Sequence, residues 1–189
     1  DLHTAYRRQR QMCIRDRRYT DILPSFHAKY AIHSNGNLRF SYARAINRPS
    51  FFEIVPYSII NEDYKEKGNP ELKHTVADNI DLRYEFFPRS SEQLMVGLFY
   101  KNIKDPIEYG LLNEGQDTYY KPMNFGTANN WGLEVDILKY FNWLGIKANY
   151  TYTYSKITTE KRVMQGSEVT TTTQSRPLFG QAAHVANIS

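Results

Sequence analysis

The stretch Asn79-Ile80-Asp81-Leu82-Arg83-Tyr84-Glu85-Phe86 decides how this chain folds. Ile80, Leu82, Tyr84 and Phe86 alternate strictly with Asp81, Arg83 and Glu85. An extended backbone therefore puts every apolar group on one face and every charge on the other, whereas a helix would scatter both around its circumference. One face is apolar enough for lipid and the other is fully charged. A soluble sandwich strand resembles this, but there the apolar face packs a core and only the exterior is charged.

The same period of two extends in both directions from about Asp21 and yields about seven strands. The first covers Leu23 to His33, with Phe26, Ala28, Tyr30 and Ile32 opposite Ser25, His27 and Lys29. It is followed by Ser34-Asn35-Gly36-Asn37, whose Asn and Gly tolerate positive φ and suit a tight reversal. The second covers Leu38 to Ile46, the third Asn79 to Phe86, and the fourth Gln93 to Asn102, where Met95 and Phe99 blur the phase. The fifth, Asn130 to Lys139, sets Trp131, Leu133, Val135 and Ile137 against Gly132, Glu134 and Asp136. The sixth, Gly145 to Ser155, sets Ile146, Ala148, Tyr150, Tyr152 and Tyr154 against Lys147, Asn149, Thr151 and Thr153. A seventh begins near Ala182.

Connections between these strands alternate in length. Ser34 to Asn37, Phe87 to Glu92 and Phe141 to Leu144 are short; Asn47 to His74, Gly110 to Thr127 and Thr158 to Gln181 are long. Keeping every long loop at one end is the arrangement of a transmembrane β-barrel of the bacterial outer membrane, with tight turns inside and long loops outside the cell. Tyr150, Tyr152, Tyr154 and Trp131 share the outward face and suit the headgroup zone, where a ring and a polar tip are both satisfied. The fold class expected is all-β, with antiparallel up-and-down strands forming part of such a barrel.

Composition agrees. Aromatic residues make up 14% of the 189, including 15 Tyr, yet the chain is polar on average, as strands with two unlike faces require. No run approaches the roughly 18 apolar residues that a membrane helix needs. The net charge of +4 is concentrated at the start, where residues 1–17 hold five Arg and two Asp. Within them Met12-Cys13-Ile14-Arg15-Asp16-Arg17 resembles a translated sequencing adapter, so residues 1–17 are expected to be non-native and residues 18–189 to be the barrel portion. Without that segment the net charge is +1, and nothing suggests a nucleic-acid partner. Cys13 is the only cysteine, so a disulfide or cysteine-based zinc site within residues 18–189 is excluded.

Sites for chemistry are sparse. Glu134 and Asp136 share a strand face and could act as acid and base, but they fit better as charge partners of Arg83 and Lys147 on neighbouring strands. His27, His33, His74 and His184 have no metal-ligand spacing. No phosphate-binding glycine loop or nucleophile elbow occurs, and no Ser-His pair accompanies the carboxylates, so no catalytic, metal or cofactor site is expected.

Three stretches resemble the barrel of TonB-dependent outer-membrane receptors: Leu38-Arg39-Phe40-Ser41-Tyr42-Ala43-Arg44-Ala45-Ile46-Asn47-Arg48-Pro49-Ser50-Phe51; Gly68-Asn69-Pro70-Glu71-Leu72-Lys73; and Asn124-Phe125-Gly126 leading to Trp131-Gly132-Leu133-Glu134. The family usually has Pro where this chain has His74. The resemblance implies a Gram-negative outer-membrane location and a barrel of about 22 strands closed around a plug, importing a scarce nutrient with energy from the inner-membrane TonB complex. It also implies that plug and terminal strands lie outside this sequence. The nutrient would be an iron chelate, vitamin, glycan or peptide, with Arg48, Tyr57, Tyr64, Tyr119, Tyr120 and Lys121 in the long loops as ligand contacts. Outer-membrane lipid is the other expected partner. A soluble, Tyr-rich carbohydrate-binding β-domain is the alternative reading of the same alternation.

Overall fold

A computed structural model describes residues 19–60, 65–114, 117–165 and 168–189. Its principal sheet is an antiparallel meander of β1 (Ser25–His33), β2 (Gly36–Asn47), β5 (Thr75–Phe86), β6 (Gln93–Lys104), β9 (Thr127–Phe141) and β10 (Leu144–Gln165). The far edge of β10 carries two strands in one column, β11 (Glu168–Arg176) against its loop end and β12 (His184–Ile188) against its turn end. The column is interrupted after Arg176 by Pro177, which offers no N–H to a ladder. Each strand read from the sequence lies in this sheet, which is open: among the described residues β1 pairs only with β2, and β12 only with β10.

Register settles the two faces. The cross-strand rows Phe26, Tyr42, Ile80, Tyr100, Trp131, Tyr154 and Ala28, Phe40, Leu82, Leu98, Leu133, Tyr152 run unbroken across six strands. A third row carries Tyr30, Leu38, Tyr84, Val96, Val135 and Tyr150. The uncertain phase of the fourth strand is resolved by these pairings: Leu94, Val96, Leu98 and Tyr100 belong to the apolar face, while Met95 and Phe99 belong to the other. The apolar face is not covered by protein, since Phe26, Leu98 and Trp131 are 57%, 55% and 48% exposed. From Trp131 to Phe141 on β9 the ten residue steps measure about 33 Å along the strand at ~3.3 Å each. A tilt of about 40° shortens this to about 25 Å, the height of the apolar band of an outer-membrane barrel.

The opposite face is polar. Arg39 meets Glu85 at 2.6 Å and Arg83 meets Glu134 at 3.7 Å, while Asp136 accepts from Gln93 at 2.8 Å. Glu134 thus takes Arg83 as the sequence suggests, but Asp136 pairs with Gln93. Gly132 faces this side, well inside β9 and not at a strand start. A Cβ there would lie 1.9 Å from the Tyr152 carbonyl oxygen and 2.6 Å from the Phe99 ring, so only glycine lets the ring cover the backbone.

Short turns join β1 to β2, β5 to β6 and β9 to β10 at one end, as expected. Ser34 and Asn35 make the first without any positive φ; the third uses Asn142 at φ 47°. The long connections are more ordered than their composition suggests. The first holds one helical turn, α1 (Phe51–Ile54), closed by a Ser50/Glu53 capping box, then β3 (Ser58–Ile60) and β4 (Lys65–Lys67). The second is a hairpin of β7 (Ile107–Glu114) and β8 (Asp117–Asn124). The third extends β10 well past Ser155 and returns as β11. Strands β3, β4, β8 and β7 form a second sheet in that order, with β4 parallel to β8 through Lys65 and Glu66 opposite Tyr119 and Tyr120.

Candidate functional site

The site develops where this second sheet meets the polar face of the large one. Among the described residues the fully buried apolar side chains belong to this end: Leu72 and Pro122 from the loops, Ala128 and Ile157 from β9 and β10. Polar staples lock the loops together. Asn69 Nδ2 donates to the Pro122 carbonyl at 2.8 Å, the Lys73 N–H donates to Asn124 Oδ1 at 2.7 Å, and Asn124 Nδ2 donates back to the carbonyls of Lys73 and Asp105. Thr75 Oγ1 also donates to the Asp105 carbonyl at 2.9 Å. Gly126 completes the anchor with φ +37° and its Cα against β10, where a Cβ would fall 2.3 Å from the Thr158 carbonyl oxygen.

The third connection joins through Arg176, whose guanidinium pairs with Glu108 and whose Cζ lies 5.8 Å from the Phe125 ring centroid. The Leu178 N–H donates to Ser155 Oγ at 3.2 Å, so this segment also crosses to the polar side of the sheet. Between the loops lies a cavity of about 400 Å³ lined by Pro106, Ile107, Glu108, Tyr109, Tyr120, Arg176, Leu178 and Phe179. Tyr109 and Tyr120 stack with centroids 5.1 Å apart and planes 22° apart. Phe179 is 89% exposed at the rim. Two nearly parallel phenol rings and one exposed phenyl, beside the Arg176–Glu108 ion pair, suit a ligand with flat rings.

Nearby, Tyr57 donates to Glu66 Oε1 at 2.6 Å. That hydrogen bond, reinforced by burial, pushes its phenol up to about 12. Burial, with the carboxylates of Glu53 and Glu66, also raises Tyr109. Both rings therefore stay neutral donors at ordinary pH.

The loop residues singled out from sequence are only partly assembled. Tyr120 lines the cavity. Tyr119 pairs instead with Lys67, whose Nζ lies 4.9 Å from the ring centroid, and with Lys65 at 6.0 Å. Tyr57 is held by Glu66, and Lys121 is half-buried on β8. Arg48 is exposed just past β2 and is not among the cavity-lining residues. Tyr64 lies outside the described residues. Sequence reasoning missed Tyr109, Glu108, Arg176 and Phe179. The alternation of Ile107, Tyr109 and Leu111 before Gly115, a residue type that favours turns, was the available signal for a hairpin that carries two of them.

An exposed apolar face about 25 Å tall, bounded by rings and backed by a charged face, fits a strand wall set in lipid. The profile of the outer membrane protein beta-barrel family matches residues 2–182. The chain belongs to that outer-membrane barrel family. Its place is the outer membrane of a Gram-negative cell. The soluble carbohydrate-binding alternative is thereby set aside. Among curated proteins none is significantly similar in sequence.

Solved receptors share the barrel's architecture. The siderophore receptor PirA from Pseudomonas aeruginosa superposes with a TM-score of 0.61 at 20% identity, covering 73% of this chain and 30% of the receptor. A ferric enterobactin receptor mutant of the same species, in complex with enterobactin, gives 0.57 at 19% identity, covering 73% of this chain and 25% of the receptor. PirA from Acinetobacter baumannii gives 0.55 at 16%, covering 73% and 26%. At such identities the likeness establishes fold alone, and the chain spans about a quarter to a third of these receptors. In the barrel frame the apolar rows face lipid, the charged face lines the lumen and the long loops stand outside the cell.

Proposed function

We propose that residues 18–189 form part of the wall and extracellular mouth of a TonB-dependent receptor that imports a ferric chelate, with energy delivered through a plug domain inside the closed barrel. The observation that supports this most directly is the cavity between the second and third loops, lined by the stacked Tyr109 and Tyr120 and by the Arg176–Glu108 pair. Aromatic rings are a fitting first contact for a ring-bearing iron complex, and two of the similar structures come from receptors named for siderophores. Tyr57, Tyr119, Lys121 and Arg48 belong to the same mouth and act as a wider rim.

The test is uptake by the intact receptor under iron limitation. A strain lacking the receptor should lose transport of radiolabelled iron from a ferric tris-catecholate. Wild-type receptor should restore it, and a receptor carrying Tyr120→Ala with Arg176→Gln should do so poorly. Unchanged iron uptake, with loss of cobalamin or oligosaccharide uptake instead, would overturn the iron-chelate assignment.

A further inference from the structure

Among the described residues that line the mouth cavity, Arg176 is the single cation, and it is already committed. Its Nη2 donates to Glu108 Oε2, its Nη1 donates to the Pro177 carbonyl at 3.2 Å, and its Cζ lies 5.8 Å from the centroid of the Phe125 ring. Glu108 is committed as well. Its side chain is 13% exposed, and its other oxygen, Oε1, accepts from the Phe179 N–H at 3.4 Å. One carboxylate thus occupies the cation and seats the exposed phenyl at the rim. The other charges acting on the rings are negative. Burial raises the Tyr109 phenol first, and the carboxylates of Glu53 and Glu66 raise it further; Tyr120, stacked on Tyr109, shares those surroundings.

An open guanidinium at a rim would receive anions. Here an incoming anion would have to displace Glu108 or meet an ion pair of no net charge, with Glu53 and Glu66 adding repulsion. We propose that Glu108 sets the charge selectivity of the mouth: by occupying Arg176 it makes the cavity favour an uncharged ring-bearing iron complex over a trianionic one. This rests on the iron-chelate assignment and adds to it the charge of the complex. Stacking on Tyr109, Tyr120 and Phe179 supplies affinity to either complex, while the carboxylate withholds the attraction that a free guanidinium would give a polyanion.

The experiment measures binding to the full-length receptor in detergent by fluorescence quenching, for wild type and Glu108→Gln at low and high salt. The probes are the ferric complex of an aryl-bearing hexadentate tris-hydroxamate, which is uncharged, and that of a hexadentate tris-catecholate, which is trianionic. Wild type should hold the uncharged complex the tighter, and its affinity for the trianion should not fall as salt rises. Glu108→Gln keeps the shape and an acceptor for the Phe179 N–H while freeing one positive charge. It should move the ratio of the two affinities toward the trianion by about fivefold or more at low salt, a gain that high salt removes. A ratio unmoved by the variant, a gain that persists in high salt, or a wild-type preference for the trianion would each overturn the role of Glu108 and leave the iron-chelate assignment standing. Binding of neither complex by wild type would remove that assignment, and the inference with it. Should Glu108→Gln fail to fold, the salt response of wild type decides: a trianion affinity that drops steeply with salt would show a cation open to ligand and overturn the proposal.

Discussion

The Tyr57 hydroxyl donates to the Glu66 carboxylate at 2.6 Å, tying the segment before β3 to β4 and holding the loop sheet together. The phenol is pushed up to about 12 by that bond. Its folded value thus exceeds its unfolded one near 10, so its stabilisation is complete below about pH 10 and vanishes as pH rises through about 12. Ultraviolet titration of the full-length receptor should show a tyrosinate step that disappears in Tyr57→Phe at the alkaline end only. Identical titrations would mean the bond does not form in solution.

Gly132 and Phe99 occupy one volume that a side chain cannot share. Gly132→Val should destabilise the barrel by about 3 kcal/mol or more, because the nearest obstacle is backbone and cannot move aside. Gly97→Ala on the neighbouring strand meets nothing closer than 3.8 Å and should be nearly neutral. Urea unfolding in lipid vesicles compares the two; equal midpoints would contradict the packing described.

Arg176 is the clasp between the second and third loops through Glu108. Replacing it by Leu should cost about 1 kcal/mol, given a partly exposed pair, and loosen the cavity locally. Hydrogen exchange should quicken at 107–111 and 178–181 with no change in β2 or β5. A rise spread through the whole sheet would show a structural role beyond the clasp.

At the opposite end Glu92 is buried beneath Lys139, accepting from its ammonium at 2.9 Å and from the Tyr140 N–H at 3.4 Å. The Lys139 hydrogen bond holds its carboxyl below the usual range. That contribution is present above the unfolded carboxyl value and is lost as pH falls through the lowered folded one. Glu92→Gln should therefore lower the melting temperature at neutral pH, and the gap from wild type should shrink in acid. A gap independent of pH would place the effect in packing alone.

Much of this was legible from one strand outward. The alternation of Ile80 to Phe86 gives the face of each residue, and the uneven connections place the loops at one end. The fourth strand shows where reading stops: Met95 and Phe99 are apolar yet face the lumen, and only pairing with Asp136 and Gly132 assigns them. The same limit applied to the ligand contacts. Tyr119 and Tyr120 are adjacent in sequence, but β8 turns Tyr120 to the cavity while Tyr119 meets Lys65 and Lys67.

By itself the sequence determined the strands, their faces and the membrane they suit, because side-chain alternation is a local property with a period of two. Only tertiary structure decided that the first two long connections fold into a second sheet, that the third extends the principal one, and that Arg176 meets Glu108. Those relations depend on register between segments distant in the chain, and no local pattern encodes which residue of one strand will stand beside which residue of another.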